Sequence, residues 1–180
     1  MTTERHTWIA FLRAINLGAT RKFPKQAISA AVVRAGGTDV ETYINTGNVR
    51  FDHPVGDRAE MEAILEEAFA ADRFFEVPTI CVTPAELKVI ANDAAVVGMG
   101  HEGKQYVFLC KELSDSSARE ALVARAGEGE RVYVIGRAVH LLTEEGFQQT
   151  KITNAVVERH IATSTNRNLN VIRTLADKWG

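Results

Sequence analysis

Apolar positions along the chain alternate with the period of strands in some stretches and with the spacing of helix faces in others. Trp8 to Arg13 is nearly all apolar and suits a central strand, after which Asn16, Gly18 and Thr20 break the pattern into a loop. Pro24 sits where a helix starts, Ala27, Ile28, Ala31, Val32 and Ala35 share one face of it, and Gly36-Gly37 stops it. Val40 to Ile44 and Val49 to Phe51 alternate on either side of Asn45-Thr46-Gly47-Asn48, which has turn chemistry, so a hairpin is expected. Asp57 caps a second helix whose Met61, Ile64, Leu65, Ala68 and Phe69 form an amphipathic stripe, and Pro78 to Val82 reads as a further strand. The order to this point is βαββαβ.

Thr83-Pro84-Ala85-Glu86 is a capping box with proline in the first helical turn, which predicts a short helix carrying Leu87, Ile90 and Ala91. From Asn92 to Gly103 the periodicity fades and three glycines appear. Residues 1–92 are therefore expected as a first half with its connecting helix, 93–103 as a connector, and 104–180 as a second half. In that second half Gln105 to Cys110 reads as a strand and Ser114 as the cap of a helix through Ala126. Arg131 to Ile135 and Ala138 to Leu142 form a hairpin around Gly136-Arg137, and a helix runs from about Lys151 to Ile161. Leu169, Ile172, Leu175 and Ala176 give Leu169 to Lys178 helical spacing, so this half reads βαββα and ends in a helix. The expected class is α+β, with two ferredoxin-like (split βαβ) halves, each an antiparallel sheet burying one face beneath its helices. The repeat is in architecture, not in residues.

Composition narrows the classes. With 180 residues, 46% apolar and 24% charged, the chain has ordinary globular composition, which excludes collagen, coiled coil and disorder. Apolar runs such as Ile9 to Leu12 and Val132 to Ile135 fall far short of the ~20 residues of a membrane helix. The segment Met1 to Thr7 has no signal-peptide pattern, and a cytoplasmic protein is expected. Cys81 and Cys110 each lie in an apolar strand and read as buried thiols. His6, His53, His101, His140 and His160 form neither HExxH nor a CxxC partnership, so no metal and no cofactor is expected.

The candidate chemistry is polar. Gly98-Met99-Gly100-His101-Glu102-Gly103 matches GxGxxG, but a dinucleotide turn follows a strand and opens a helix, whereas this one follows a helix and precedes a strand. Neither a P-loop nor a GxSxG elbow occurs, and Glu144-Glu145 at a strand end reads as solvated surface. A different signal is Asn clustered with Arg and Lys: Arg13 and Asn16; Lys22 beside Pro24; Asn45 and Asn48; Lys151 and Asn154; and Asn166-Arg167-Asn168. Local capping would account for the asparagines one by one. Charge adds to the signal, because residues 1–50 carry seven basic and three acidic side chains, 51–150 nine and eighteen, and 151–180 five and two, giving +4, −9 and +3 for a net −2. If the two basic thirds meet, they make a donor-rich patch suited to phosphate or carboxylate.

Four blocks carry a resemblance. Phe11-Leu12-Arg13-Ala14-Ile15-Asn16-Leu17-Gly18, Thr42 to Phe51, Lys151-Ile152-Thr153-Asn154-Ala155 and Thr165-Asn166-Arg167-Asn168-Leu169-Asn170 resemble, almost end to end, the signature blocks of the bacterial domain of unknown function 1697 family. The resemblance implies a conserved protein with two ferredoxin-like halves and no established activity. The family pattern usually has glycine where this chain has Ala14 and Ala19, and an aromatic at Leu169. The expected function is binding of a small anionic or nucleotide-like ligand at a basic, Asn-rich surface formed by the chain ends, through Arg13, Asn16, Lys22, Asn45, Asn48, Lys151, Asn154, Arg167 and Asn168. The alternative is an enzyme acting on a phosphorylated or carboxylated metabolite, with Lys151 or Lys22 polarising it. A net charge of −2 and 7% aromatics argue against a nucleic-acid partner.

Overall fold

The alternating segments become paired strands in the computed structural model, which describes residues 4–180; Met1 to Thr3, where the segment read as leaderless begins, lie outside the described residues. The chain divides into two units, the first reaching Pro84 and including Trp179, the second comprising Ala85–Lys178 and Gly180. No helix among the described residues is long and apolar enough to cross a membrane.

The first unit runs β1 (His6–Leu12), α1 (Lys25–Arg34), β2 (Thr38–Tyr43), β3 (Asn48–His53), α2 (Arg58–Arg73) and β4 (Thr79–Val82). Its strands form an antiparallel sheet in the order β2-β3-β1-β4. The register sets Trp8 against Phe51 and Ala10 against Val49, so apolar residues of both strands share the face that α1 and α2 cover. Phe23 and Phe69 meet there edge to face with ring centres 5.3 Å apart; burying each such ring is worth about 1.5–3 kcal/mol. Asp57 Oδ1 accepts from the Glu60 amide at 2.8 Å, which is the expected cap of α2. The same helix closes the sheet edge: Glu66 Oε1 accepts from the Thr79 amide and Glu62 Oε1 from the Cys81 amide, both at 2.9 Å. Carboxylates thus take the outward N–H groups of β4, which would otherwise template another strand.

The second unit holds α3 (Pro84–Val97), β5 (Lys104–Cys110), α4 (Ser116–Val123), β6 (Glu130–Ile135), β7 (Ala138–Thr143), α5 (Asn154–His160), β8 (Ser164–Asn168) and α6 (Leu169–Trp179). Its sheet order, β6-β7-β5-β8, repeats that of the first. Phe108, Cys110, Val139 and Leu141 face the core under α4 and α5. On the opposite face Gln105 Nε2 donates to the Ala94 carbonyl at 2.7 Å and Arg137 pairs with Glu86 at 2.8 Å, tying α3 to the sheet. Val107 lies between His140 and Arg167 in register, so all three share this face. Glu158 Oε1 accepts from the Ser164 amide at 3.1 Å, the same carboxylate closure at edge strand β8.

Four expectations need correction. The second half does have a closing strand, β8, before its final helix; its sequence Ser-Thr-Asn-Arg-Asn carries no apolar alternation to announce it. The cap of α4 is Asp115, whose Oδ1 accepts from Ala118 N at 2.7 Å, rather than Ser114, and the helix ends at Val123, not Ala126. Lys151 does not open α5, which begins at Asn154 behind the cap Thr153. Helix α3 continues to Val97 through positions where fading periodicity suggested a connector, because an apolar run with alanines sustains a helix without a marked stripe.

Candidate anion-binding cleft

At the end of the second sheet where β5 starts and β8 finishes, two chain reversals face each other. One is the glycine turn from α3 into β5, the other the passage from β8 into α6, and between them opens a cleft of about 450 Å³. Glycine is required at the end of the turn, where a Cβ on Gly103 would lie 2.3 Å from the Thr143 carbonyl. His101 is fixed by both ring nitrogens, with Arg131 Nη2 3.4 Å from Nδ1 and the Lys104 carbonyl 3.1 Å from Nε2. A guanidinium can only donate, so Nδ1 accepts and the proton resides on Nε2, which donates to the carbonyl. Tyr106 borders the cleft, and its ring packs against Phe147 beside the core under α4 and α5, ring centres 5.0 Å apart.

The charge is of one sign. Lys104 and Arg173 line the cleft and no carboxylate does. Asn168 Oδ1 accepts from Val171 N at 2.9 Å and so caps α6, whose first turn, including Asn170, borders the same space. Helix starts carry amides without intrahelical partners and the positive end of the dipole.

Of the residues singled out from sequence, Asn168 alone lines this cleft. Lys151 lies exposed in a separate hollow with Gln149 and Glu130, whose Oε1 accepts from the Lys151 amide at 3.1 Å. Asn154 is the first residue of α5, and its Oδ1 is buried. Arg167 is only 6% exposed, inside the sheet; Nη1 donates to Thr165 Oγ1 at 2.9 Å and to the Asn166 carbonyl at 2.8 Å. Burial lowers its pKa to about 10, which still leaves it charged at neutral pH.

Arg13, Asn16, Lys22, Asn45 and Asn48 belong to the first unit, around the end of β1. Asn16 staples that region: Oδ1 accepts from the Phe23 amide at 2.8 Å, and Nδ2 donates to the carbonyls of Phe23 at 2.9 Å and Asn45 at 2.8 Å. Asn48 Nδ2 donates to the Tyr43 carbonyl and Thr46 Oγ1, closing the hairpin. The Arg13 amide donates to the Pro78 carbonyl at 2.9 Å, and the Lys22 carbonyl accepts from Arg73. Ala14, Asn16 and Arg21 all hold positive φ, 55°, 54° and 54°. Arg21 clamps the loop through the carbonyls of Ala14 and Glu76, both at 2.6 Å.

Sequence reasoning did not find His101, Lys104, Tyr106 or Arg173. The available signal was the glycine turn itself, a histidine set among three glycines with a lysine opening the strand that follows. Among the described residues no group of His, Cys, Asp and Glu is arranged to hold a metal ion.

Comparison with known proteins agrees with this architecture. A family model described as "Protein of unknown function (DUF1697)" matches residues 5–140. Among solved structures, the conserved bacterial protein SP0830 from Streptococcus pneumoniae superposes with a TM-score of 0.73, covering 98% of this chain and 100% of its own at 17% identity. No curated protein matches the chain.

Proposed function

The chain belongs to the DUF1697 family of proteins of unknown function, and we propose that its second unit binds a small anionic ligand in the cleft between the glycine turn and the start of α6. The observation that carries this reading is the one-signed lining: Lys104 and Arg173 border a 450 Å³ space that no carboxylate borders. Two like charges bordering one space repel, and an anion between them relieves the repulsion. The volume falls in the range of small-molecule sites, about 300–1,000 Å³. The first start-of-α6 amides and the helix dipole add to the attraction.

The test is isothermal titration of the full chain with inorganic phosphate, sulfate and a dicarboxylate at low ionic strength. Lys104→Gln and Arg173→Gln are each expected to weaken the tightest of these by about tenfold or more, the scale of one charge-assisted hydrogen bond. Lys151→Gln, which removes a cation from a different hollow, is expected to leave binding unchanged. Equal losses from all three substitutions would reduce the effect to net charge and end the case for the cleft.

A further inference from the structure

Resting on the anion reading just given, we infer that the cleft takes a sugar phosphate, its phosphate held by Lys104 and Arg173 and its hydroxyls read by the amides of Gln105 and Asn170. Each wall of the cleft presents one cation and one amide. On the β5 side Lys104 and Gln105 are chain neighbours. On the α6 side Asn170 and Arg173 stand three positions apart, which sets them on one face of the helix.

Gln105 is the residue that asks for a hydroxyl. Its side chain belongs to a residue only 8% exposed, and Nε2 donates to the Ala94 carbonyl at 2.7 Å, which fixes the two ends of the amide because only the nitrogen can donate. Oε1 is left as a pure acceptor, and no donor among the described residues meets it. Gly98 leaves this oxygen uncovered, since a Cβ there would lie 2.2 Å from it. A desolvated acceptor gains from a donor and is repelled by the oxygens of an anion. Sulfate and carboxylates bring only acceptors at neutral pH, so they suit Lys104 and Arg173 and offer Gln105 nothing. A ligand hydroxyl supplies the missing hydrogen. Asn170, exposed in the first turn of α6, presents a donor and an acceptor to the same space, and Asn168 keeps Nδ2 as a donor while its Oδ1 caps the helix. The charge of the ligand follows from the two cations, which a phosphate monoester with about two negative charges at neutral pH matches better than a single carboxylate does.

The experiment titrates the full chain by calorimetry with ribose 5-phosphate, n-pentyl phosphate, gluconate and inorganic phosphate at low ionic strength. Pentyl phosphate has the phosphate and the carbon count of the sugar but none of its hydroxyls. Ribose 5-phosphate is expected to bind about tenfold or more tighter than pentyl phosphate, the scale of one or two hydrogen bonds to otherwise unmet groups. Asn170→Ala should narrow that gap, whereas Lys104→Gln should weaken both esters by a similar factor and keep it. Equal binding of the two esters, or tighter binding of pentyl phosphate, overturns the sugar inference while the anion site stands. A gap that Asn170→Ala leaves untouched overturns the role given to that amide, and gluconate binding as tightly as ribose 5-phosphate overturns the choice of phosphate. Binding of none of the phosphates removes the anion reading, and this inference goes with it. The comparison of the two esters is made on the unaltered protein, so it decides the matter even if a variant fails to fold.

Discussion

His140 offers a quantitative test of how the second unit is put together. It is fully buried on β7, on the sheet face shared with Val107 and Arg167, and neither ring nitrogen has a hydrogen-bond partner among the described residues. Desolvation lowers its pKa from 6.5 to about 4, against the opposing pull of the Asp93 carboxylate. Above pH 6.5 the ring is neutral in both the folded and unfolded chain, and stability does not depend on it. Below that value the unfolded chain takes up a proton that the folded one refuses, so stability falls as pH falls and levels off once the pH drops below about 4. Each pH step is worth about 1.4 kcal/mol, so the loss is about 2 kcal/mol at pH 5 and about 3 kcal/mol at its limit. His140→Leu keeps the volume and the apolar contacts but cannot titrate. Urea denaturation of both proteins at pH 8, 7, 6 and 5 gives the comparison, in which every carboxylate contribution common to the two cancels. The difference in stability should be flat from pH 8 to 7 and then widen in favour of His140→Leu, reaching about 2 kcal/mol at pH 5. Parallel curves across the range would show that the folded protein accepts the proton on His140, and the account of a dry, partnerless imidazole would be wrong.

Three further outcomes are expected. Ala14→Gly should stabilise the protein by about 0.5–1 kcal/mol in chemical denaturation, since Ala14 holds φ 55°, where only glycine escapes the Cβ clash. Asn16→Ala removes two hydrogen bonds to Phe23 in the β1–α1 loop and one to Asn45 in the β2–β3 turn and should cost about 2–3 kcal/mol, seen as a lower urea midpoint. Cys110, whose thiol burial pushes up to about 12, should resist iodoacetamide at pH 8 until the protein is unfolded, when it should label at the rate of a free thiol.

The elements legible from sequence were those in which one face is apolar and the other is not. Met61, Leu65 and Phe69 announced α2, and the turn Asn45 to Asn48 announced its hairpin, because burial and turn geometry each leave a local trace. Strand β8 left none. Its inward positions are Thr165 and Arg167, which are 4% and 6% exposed, so polar residues occupy what the pattern treats as core. Their hydrogen bonds make that possible, and hydrogen bonds have no period. The cleft was illegible for a different reason: Lys104 opens a strand and Arg173 lies on a helix 69 positions later, and only the pairing of β5 with β8 relates them. The asparagines were visible but ambiguous. At Asn16, Asn48 and Asn168 the side chain holds a loop, a hairpin and a helix start, the capping role that the type of residue favours.

The carboxylates that close the outer strands bear on how each half avoids pairing with a foreign strand. Glu62 and Glu66 reach from α2 to β4, and Glu158 reaches from α5 to β8; in each case the helix that closes the edge is the one immediately preceding the strand it closes. Each half therefore carries its own stop, encoded within a stretch of about twenty residues and independent of anything outside that half. A βαββαβ segment with such a stop could exist as a separate gene product without growing into a fibre, and copying the segment would copy the stop with it. The repeat is invisible as sequence, yet closing glutamates stand in both halves at matching places in the topology. The two halves thus match in edge closure as well as in strand order.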